Sequence, residues 1–388
     1  MTVDEDSTNQ EETNSTGISF SLPSRLFQQH GNKTILHCID CHAGGEPARV
    51  VLSGVNSIPP QYETALQKRN YMMEHLDHFR KLLLLEPRGY PCQNVNFVFA
   101  PSNNGNNYQY VIGEQNKIYP LMSGHNTICV ATALLECGVI PMISPSTQFT
   151  LEAPAGPINI TARCHDQKVT SITLQNAPSF VEKLNVTVQV PHGVGDVQCD
   201  IAYGGMWYAV VNLSNNASLK HLKLHPDNAA ELCRVGEMIK VACREQHPVQ
   251  HPTVDYPGVD ILVFRETPTT TIARNTVVMS NTVLDWDKPE TWTAMLDRSP
   301  CGTGTCAVMA VLHARGELQV GEPFVHESIV GTQFVGTIVQ GTTVSSEEDH
   351  RPAIIPQVEG SAYITQYSQV VLDPEDPFPE GYRVADIW

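Results

Sequence analysis

Two residues that can carry a proton, Ser123 and Cys301, stand directly before two similar apolar segments. If each segment is a helix, each side chain lies at a helix N-terminus, where unpaired backbone N–H groups and the positive end of the helix dipole are exposed. Such an end can bind a carboxylate, and it lowers the pKa of a cysteine. Two helix ends that face each other would hold a carboxylate with the α-carbon between Ser123 and Cys301. We therefore predict a site that takes a proton from one face of an α-carbon and delivers a proton, or expels a group, on the other.

Asp297 and His125 lie near these two residues in the sequence. Asp297 would be close enough to pair with a substrate ammonium, and His125 could reach the same nitrogen. Pro300 would fix the direction in which the chain enters the second helix. Each residue also has an ordinary explanation, Asp297 as a surface turn or helix cap and His125 as a local hydrogen bonder. Ser123 alone would be explained as an N-cap, but its match to Cys301 favours the chemical role.

The two segments form an internal repeat, which indicates duplication of about half the chain. Residues 123–138 and 301–316 carry identical residues at matched positions. The matches are Gly124 with Gly302, Thr127 with Thr305, Val130 with Val308, Leu134 with Leu312 and Gly138 with Gly316. Between the glycines both segments are largely apolar, which predicts buried helices, and the closing glycine is typical of a helix end. The repeat predicts two similar lobes, each built around one such helix.

The rest of the sequence predicts more strands than helices. Residues 61–85 place apolar side chains at roughly helical spacing, and residues 229–242 form another candidate helix. Candidate strands cover residues 95–100, 147–152, 158–162, 169–175, 186–190, 206–211 and 261–264. A mixed α+β architecture accommodates these elements.

The composition is ordinary for a soluble globular protein, with 388 residues of which 41% are apolar and 17% charged. The formal net charge of −17 makes nucleic acid and anionic membrane surfaces poor partners. An anionic substrate group must therefore be held locally, by backbone N–H groups or a helix end. No apolar run is long enough for a membrane span.

Residues 1–33 are predicted to be a disordered acidic tail. Residues 1–17 contain no Lys or Arg and no apolar run, so they do not form a signal peptide. Eleven cysteines without a secretion signal favour reduced thiols and a cytoplasmic location. Cys38, Cys41 and His42 have the spacing of a haem or redox motif, but they lie in a predicted strand and are interpreted as structural. No tight pair of zinc-ligand motifs appears.

Five motifs resemble those of the proline racemase family, which also includes hydroxyproline epimerases and trans-3-hydroxy-L-proline dehydratases. They are residues 42–49 (HAGGEPAR), 86–89 (EPRG), 122–125 (MSGH), 200–205 (DIAYGG) and 297–305 (DRSPCGTGT). The resemblance covers nearly the whole chain from about residue 36. It implies the α+β fold of diaminopimelate epimerase, in which two pseudo-symmetric lobes each wrap a curled mixed sheet around a central helix. Residues 34–185 with 365–388 would then form the first lobe, and residues 186–364 the second.

The resemblance also implies roles for individual residues, with Ser123 and Cys301 as the catalytic pair. Four residues at the helix starts would hold the substrate carboxylate and ring nitrogen together with Asp297; they are Gly124, His125, Gly302 and Thr303. Asp260, directly before the strand at residues 261–264, is expected to line the site as well. The family uses neither a cofactor nor a metal ion, so none is expected. The expected partner is a small molecule, proline or a hydroxyproline, and the oligomeric state is left open with a homodimer as one option.

Ser123 departs from the family pattern, because racemases and epimerases of this family commonly have cysteine at both catalytic positions. A serine hydroxyl is a far weaker base than a thiolate. We therefore expect the Cys301 thiolate to remove the α-proton while Ser123 relays or donates a proton on the opposite face. The main expectation is dehydration of trans-3-hydroxy-L-proline to a pyrroline-2-carboxylate, although family dehydratases have Cys first and Thr second. The alternatives are a 4-hydroxyproline 2-epimerase or proline racemase, and an inactive amino-acid-binding homologue.

Overall fold

The computed structural model describes residues 33–55, 58–101, 107–268, 271–280, 283–346 and 350–384. Within these ranges the helices are α1 (Ala65–His75), α2 (Asp77–Leu84), α3 (Gly124–Glu136), α4 (Ala229–Gln246) and α5 (Gly302–Ala314). The strands are β1 (Thr34–Ala43), β2 (Glu46–Ser53), β3 (Asn94–Phe99), β4 (Tyr108–Gly113), β5 (Ser146–Ala153), β6 (Gly156–His165), β7 (Lys168–Gln175), β8 (Ser179–Val190), β9 (Gly195–Tyr203), β10 (Trp207–Asn212), β11 (Ile261–Arg265), β12 (Ile272–Ser280), β13 (Ala294–Leu296), β14 (Pro323–Glu327), β15 (Gln333–Ser345), β16 (His350–Gly360) and β17 (Ala362–Leu372).

The strand pairings repeat in the two halves of the chain. Strands β1 to β7 pair in succession as antiparallel, parallel, antiparallel, parallel, antiparallel and antiparallel neighbours. Strands β9, β10, β11, β12, β14, β15 and β16 pair with the same succession of directions. One further antiparallel strand occupies a matching place in each half, β17 beside β1 and β8 beside β9. The two halves of the chain therefore share one strand topology, as the sequence repeat predicted.

Strand β16 joins the two halves, because it pairs with β7 near its carboxyl end and with β8 nearer its middle. All seventeen strands thus belong to one continuous sheet that curls twice. The lobe boundaries proposed from the sequence stay a prediction. The positions 185 and 365 at which they were placed lie inside β8 and β17.

Each curled half surrounds one buried helix, α3 in the first and α5 in the second. Helix α3 contacts β1, β2, β3, β7, β16 and β17, and α5 contacts β8, β9, β10, β15 and β16. Every residue from Gly124 to Leu135 and from Gly302 to Leu312 is buried. These helices are largely apolar all round, so burial on every side removes the most apolar surface from water. Gly138 and Gly316 follow their ends with φ angles of 71° and 74°, which glycine adopts without strain.

The single helix predicted over residues 61–85 is wrong, because the chain forms two helices that meet at Leu76. Leu76 has φ −126° and ψ 17°, outside the helical region. The break lets α2 bury Phe79 and its neighbours beside β3, whereas α1 buries only Ala65 and Met72. The apolar spacing of the sequence continues through the break and gives no sign of it.

The other predicted elements are confirmed, and most are longer than expected. The seven candidate strands correspond, within one residue at their ends or inside longer strands, to β3, β5, β6, β7, β8, β10 and β11, and the helix predicted at residues 229–242 is α4. Cys38 and Cys41 are buried in β1 as free thiols. The predicted acidic tail, apart from Lys33, lies outside the described residues. In the described ranges, no helix has both the length and the apolar character that crossing a bilayer requires.

Candidate active site

The two central helices meet at their N-terminal ends, where Gly124 lies against Gly302. A Cβ atom on Gly124 would fall 2.8 Å from the Cα of Gly302, and one on Gly302 would fall 2.9 Å from the Cα of Gly124. Side chains cannot approach a backbone this closely, so both positions require glycine. The unpaired N–H groups and positive dipole ends of both helices therefore lie together, in an arrangement suited to one bound carboxylate.

A cavity of about 410 Å³ lies at this junction, and every residue that the sequence analysis assigned to the site lines it. They are Ser123, Gly124, His125, Asp260, Asp297, Cys301, Gly302 and Thr303. All but Asp260 and Asp297 belong to the first turn of a central helix or directly precede it. The structure thus brings both copies of the repeat to one site, and the roles of these residues in catalysis and binding stay predictions.

The Ser123 hydroxyl lies beside two nitrogen atoms of its own helix. Asn126 donates from Nδ2 to Ser123 Oγ at 3.0 Å, and His125 Nδ1 lies 3.1 Å from the same oxygen. Although Ser123 is the N-cap residue of α3, its side chain accepts no backbone N–H. Helix capping therefore does not account for this serine.

The surrounding hydrogen bonds assign the tautomer of His125. Asn94 turns its Nδ2 toward two oxygen atoms, Glu46 Oε1 and Pro47 O, each 3.5 Å away. The same nitrogen lies 3.4 Å from His125 Nε2, so we assign Nε2 as the acceptor. Burial lowers the pKa of His125 to about 3, so the ring is neutral and carries its proton on Nδ1. Ser123 Oγ then accepts hydrogen bonds from two N–H groups, so its own O–H is free to donate to a ligand. The same two N–H groups would stabilise the Ser123 alkoxide.

The Cys301 thiol lies beside two hydroxyl groups. Tyr208 OH is 3.3 Å from Sγ, Thr303 Oγ1 is 3.7 Å from it, and the two hydroxyls are 2.7 Å apart. Burial raises the pKa of Cys301 well above its ordinary value and the charge of Asp297 adds to the rise, while Tyr208, Thr303 and the Gly304 N–H oppose it. The lowered thiol pKa expected at a helix start is thus outweighed by burial.

The backbone at Cys301 is strained, with φ at 62°, a region that residues other than glycine rarely adopt. Ser299 holds this conformation, because its Oγ accepts the Cys301 N–H at 3.1 Å and donates to Asp297 Oδ1 at 2.8 Å. Strain of this kind persists where the surrounding structure fixes it, and it is concentrated at functional sites.

Asp297, Glu114 and Glu46 form a cluster of carboxyl groups with raised pKa values at or behind the cavity. Burial raises the pKa of Asp297 to about 6, although two hydrogen bonds from Ser299 oppose the rise. Burial and the charge of Asp297 raise the pKa of Glu114 to about 7. The same two causes raise the pKa of Glu46, which accepts the Arg298 N–H at 2.7 Å. Asp297 is 2% exposed and is therefore not a surface turn. A cationic nitrogen would be favoured among these groups.

Asp260 lines the cavity together with Arg244 and Tyr256. Arg244 Nη2 lies 3.8 Å from Asp260 Oδ1. Burial raises the pKa of Asp260, and Tyr256 and Arg244 oppose that rise. Asp260 therefore lies at the cavity wall with Tyr256 and Arg244 as its polar neighbours.

Sequence reasoning missed Tyr208, Glu114, Asn126 and Asn94. Asn126 could have been identified from the sequence, because it is a polar residue in the first turn of a largely apolar helix. Tyr208 lies among apolar neighbours in β10 and Asn94 is the first residue of β3, and neither sequence position carries a sign of the site. Residues 267–292, whose role the sequence did not indicate, include Met279, which lines the cavity.

Comparison with known proteins gives a consistent result. The family model described as proline racemase matches residues 38–383. The proline racemase of Clostridioides difficile is 36% identical over 350 residues, which cover 89% of this chain and 97% of that protein. The 4-hydroxyproline 2-epimerase of Rhizobium etli is 35% identical over 359 residues, which cover 92% of this chain and 97% of that protein. The crystal structure of a hydroxyproline epimerase from Agrobacterium vitis, with bound trans-4-hydroxy-L-proline, has a TM-score of 0.78 at 33% identity and covers 92% of this chain and 97% of that one.

These similarities extend over both halves of the chain and over both central helices. They confirm the α+β fold of the diaminopimelate epimerase type, with two pseudo-symmetric lobes that each wrap a curled sheet around a helix. By its family match, its relatives and its fold, this chain belongs to the proline racemase family.

Proposed function

We propose that this protein is a 2-epimerase of 4-hydroxyproline or a closely related proline-type amino acid. The observation that carries the proposal is the placement of Ser123 and Cys301 at two helix starts that meet in one cavity. The relatives named for proline racemisation and 4-hydroxyproline epimerisation support the substrate class. Epimerisation replaces dehydration as the main expectation, because the pair offers a base on one face of the α-carbon and an acid on the other.

Substrate binding would use the helix ends and the buried carboxyl group. The substrate carboxylate would bind the N–H groups at Gly124 and Gly302, and the ring nitrogen, a cation at neutral pH, would lie near Asp297. Pairing with this cation favours the ionised form of Asp297 and balances its charge. One of the causes that raise the pKa of Cys301 is then removed, so binding favours the thiolate.

Proton transfer would follow from this placement. The Cys301 thiolate takes the α-proton, and the electron pair of the broken C–H bond passes to the carboxylate as an enediolate. Ser123 then donates its O–H proton to the opposite face, and the alkoxide left behind is stabilised by the N–H groups of Asn126 and His125. Ser123 regains a proton and Cys301 loses one through exchange with solvent, so each inversion replaces one α-proton.

Dehydration of trans-3-hydroxy-L-proline is the second candidate, and the hydroxyl pair beside Cys301 favours it. In this substrate the α-hydrogen and the 3-hydroxyl lie on the same face of the ring. Tyr208 and Thr303 lie on the side of the cavity that holds the thiol, 3.3 Å and 3.7 Å from Sγ. One of them could protonate the leaving hydroxyl while Cys301 removes the α-proton, which would give water and a pyrroline-2-carboxylate.

One panel experiment separates these activities. The purified protein would be incubated in deuterium oxide with trans-4-hydroxy-L-proline, L-proline and trans-3-hydroxy-L-proline and followed by proton NMR. The proposal expects inversion of 4-hydroxyproline with deuterium at the α-carbon of the product. A cyclic imine formed only from the 3-hydroxy substrate, detected with o-aminobenzaldehyde, would establish the dehydratase instead. Binding of these compounds without exchange, inversion or elimination would indicate an inactive binding homologue.

A further inference from the structure

A second cavity, of about 290 Å³, lies at the opposite end of α5 from Cys301. The parallel strands β10 and β11 run from the active-site cavity, where Tyr208 and Ile261 line the wall, to this second cavity, where Asn212 and Arg265 line it. Helix α5 runs the same way, and Arg315 directly after its last residue lines the second cavity. We refer to this second cavity as the Arg265 cavity.

Arg265 is a buried cation that forms no ion pair with any residue that the structure describes. It is the last residue of β11 and is 5% exposed. Among the described residues, no hydrogen bond or salt bridge engages its guanidinium group, and its Nε atom is fully shielded without an acceptor. Burial lowers the pKa of Arg265, and the charges of Glu317 and Asp200 oppose this without offsetting it. A buried charge without a partner is costly in free energy, so it calls for an anion.

The acidic residues of the Arg265 cavity do not meet this need. Asp200 Oδ1 accepts from Arg315 Nη2 at 2.7 Å and from the Asn185 N–H at 2.8 Å. Glu317 is exposed at the cavity wall, where water screens its charge. The other polar residues of the wall are neutral; they are Asn185, Gln198, Asn212, Asn215, Asn216 and Thr267. The wall therefore offers further hydrogen-bonding groups but no free buried carboxylate opposite Arg265.

We propose that the Arg265 cavity binds a small oxyanion, a phosphate or a carboxylate group, through the guanidinium of Arg265. The planar guanidinium presents N–H groups that match two oxygens of either anion at once. The net charge of −17 repels anions in general, so such a site requires a local buried cation. The proposal does not depend on the reaction at Ser123 and Cys301.

The test is thermal unfolding of the full chain in buffer free of oxyanions, with and without millimolar inorganic phosphate or acetate. Saturating anion should raise the Tm of the wild type by about 2 °C or more. Arg265→Met should lose most of this rise, and its Tm without anion should not be lower than that of the wild type, because the variant loses an unpaired buried charge. A rise with phosphate alone would assign the site to phosphate, and a rise with acetate as well would assign it to oxyanions in general.

Arg244→Met is the matched control, because Arg244 lines the active-site cavity and not the Arg265 cavity. It should keep the full anion-induced rise in Tm. A rise that Arg265→Met keeps in full would place the anion outside the Arg265 cavity and overturn the proposal, whatever Arg244→Met does. No rise in the wild type with either anion would overturn it too, whatever the variants do. A fall in the anion-free Tm of Arg265→Met would show that Arg265 has a structural partner, and this result would also overturn the proposal.

Discussion

Tyr208 places its hydroxyl oxygen 3.3 Å from the Sγ atom of Cys301, although the two residues are 93 positions apart in the sequence. Strand β10 therefore contributes to the electrostatic environment of the thiol, in addition to Thr303 and Gly304 of its own helix. The contact matters because burial works against ionisation of Cys301, and the tyrosine hydroxyl is one of the groups that oppose this effect.

Replacing Tyr208 with Phe should raise the pKa of Cys301 and slow its alkylation about tenfold at neutral pH, the change that one pKa unit produces. Iodoacetamide labelling of the peptide that contains Cys301, followed by mass spectrometry from pH 6 to 10, measures this. Tyr110→Phe is the control, because it removes a buried hydroxyl bonded to Thr127 at 2.6 Å and leaves the thiol alone. Identical pH profiles for wild type and Tyr208→Phe would contradict the role given to this contact.

Replacing Gly124 with Ala should separate the two helix starts, since its Cβ would lie 2.8 Å from the Gly302 backbone. We expect a loss of about 1–3 kcal/mol in the free energy of unfolding and at least a tenfold fall in kcat/KM. Gly341→Ala is the control, since a Cβ there meets nothing within 4 Å. Urea denaturation and initial rates report both quantities. Full activity in Gly124→Ala would show that the helix contact does not position the substrate.

Asp297 should give kcat/KM an acidic limb. Its pKa is raised to about 6, and protonated Asp297 can no longer pair with the ring ammonium. Glu114, whose pKa is raised to about 7, serves as the control. We expect kcat/KM to fall about tenfold per pH unit below roughly pH 6. Glu114→Gln should leave the limb near pH 6, whereas Asp297→Asn should abolish it and lower activity at all pH values. A flat profile between pH 5 and pH 8 in the wild type would refute this assignment.

The raised pKa of Asp297 also determines how this residue makes the free energy of unfolding depend on pH. Its folded-state pKa, about 6, exceeds the ordinary value of 3.8, so the folded state binds the proton more tightly than the unfolded state. The contribution of Asp297 to the free energy of unfolding should therefore fall as pH rises from about 4 to about 6. Urea denaturation of wild type and Asp297→Asn across this range measures the difference, and parallel curves would rule out the raised pKa.

The central helices could be predicted because their signals are local. An apolar run, a closing glycine and a repeated first turn identify α3 and α5, and Ser123 and Cys301 precede them directly. Tyr208 could not be predicted, because an aromatic residue in an apolar strand is indistinguishable from a core residue until β10 is placed beside α5. The break at Leu76 was hidden for a related reason, since tertiary packing and not apolar spacing decides where α1 ends.

The central claim is that Cys301 is the base on one face of the α-carbon and Ser123 is the acid on the other. Proton NMR of 4-hydroxyproline in deuterium oxide with Ser123→Ala and Cys301→Ala tests it most directly. Ser123→Ala should invert the substrate about 10²–10⁴ times more slowly than the wild type. It should still exchange the α-proton of one stereoisomer, because Cys301 can return a deuteron to the face it deprotonated. Cys301→Ala should neither exchange nor invert. Inversion by Ser123→Ala at the wild-type rate, or exchange by Cys301→Ala, would contradict the account.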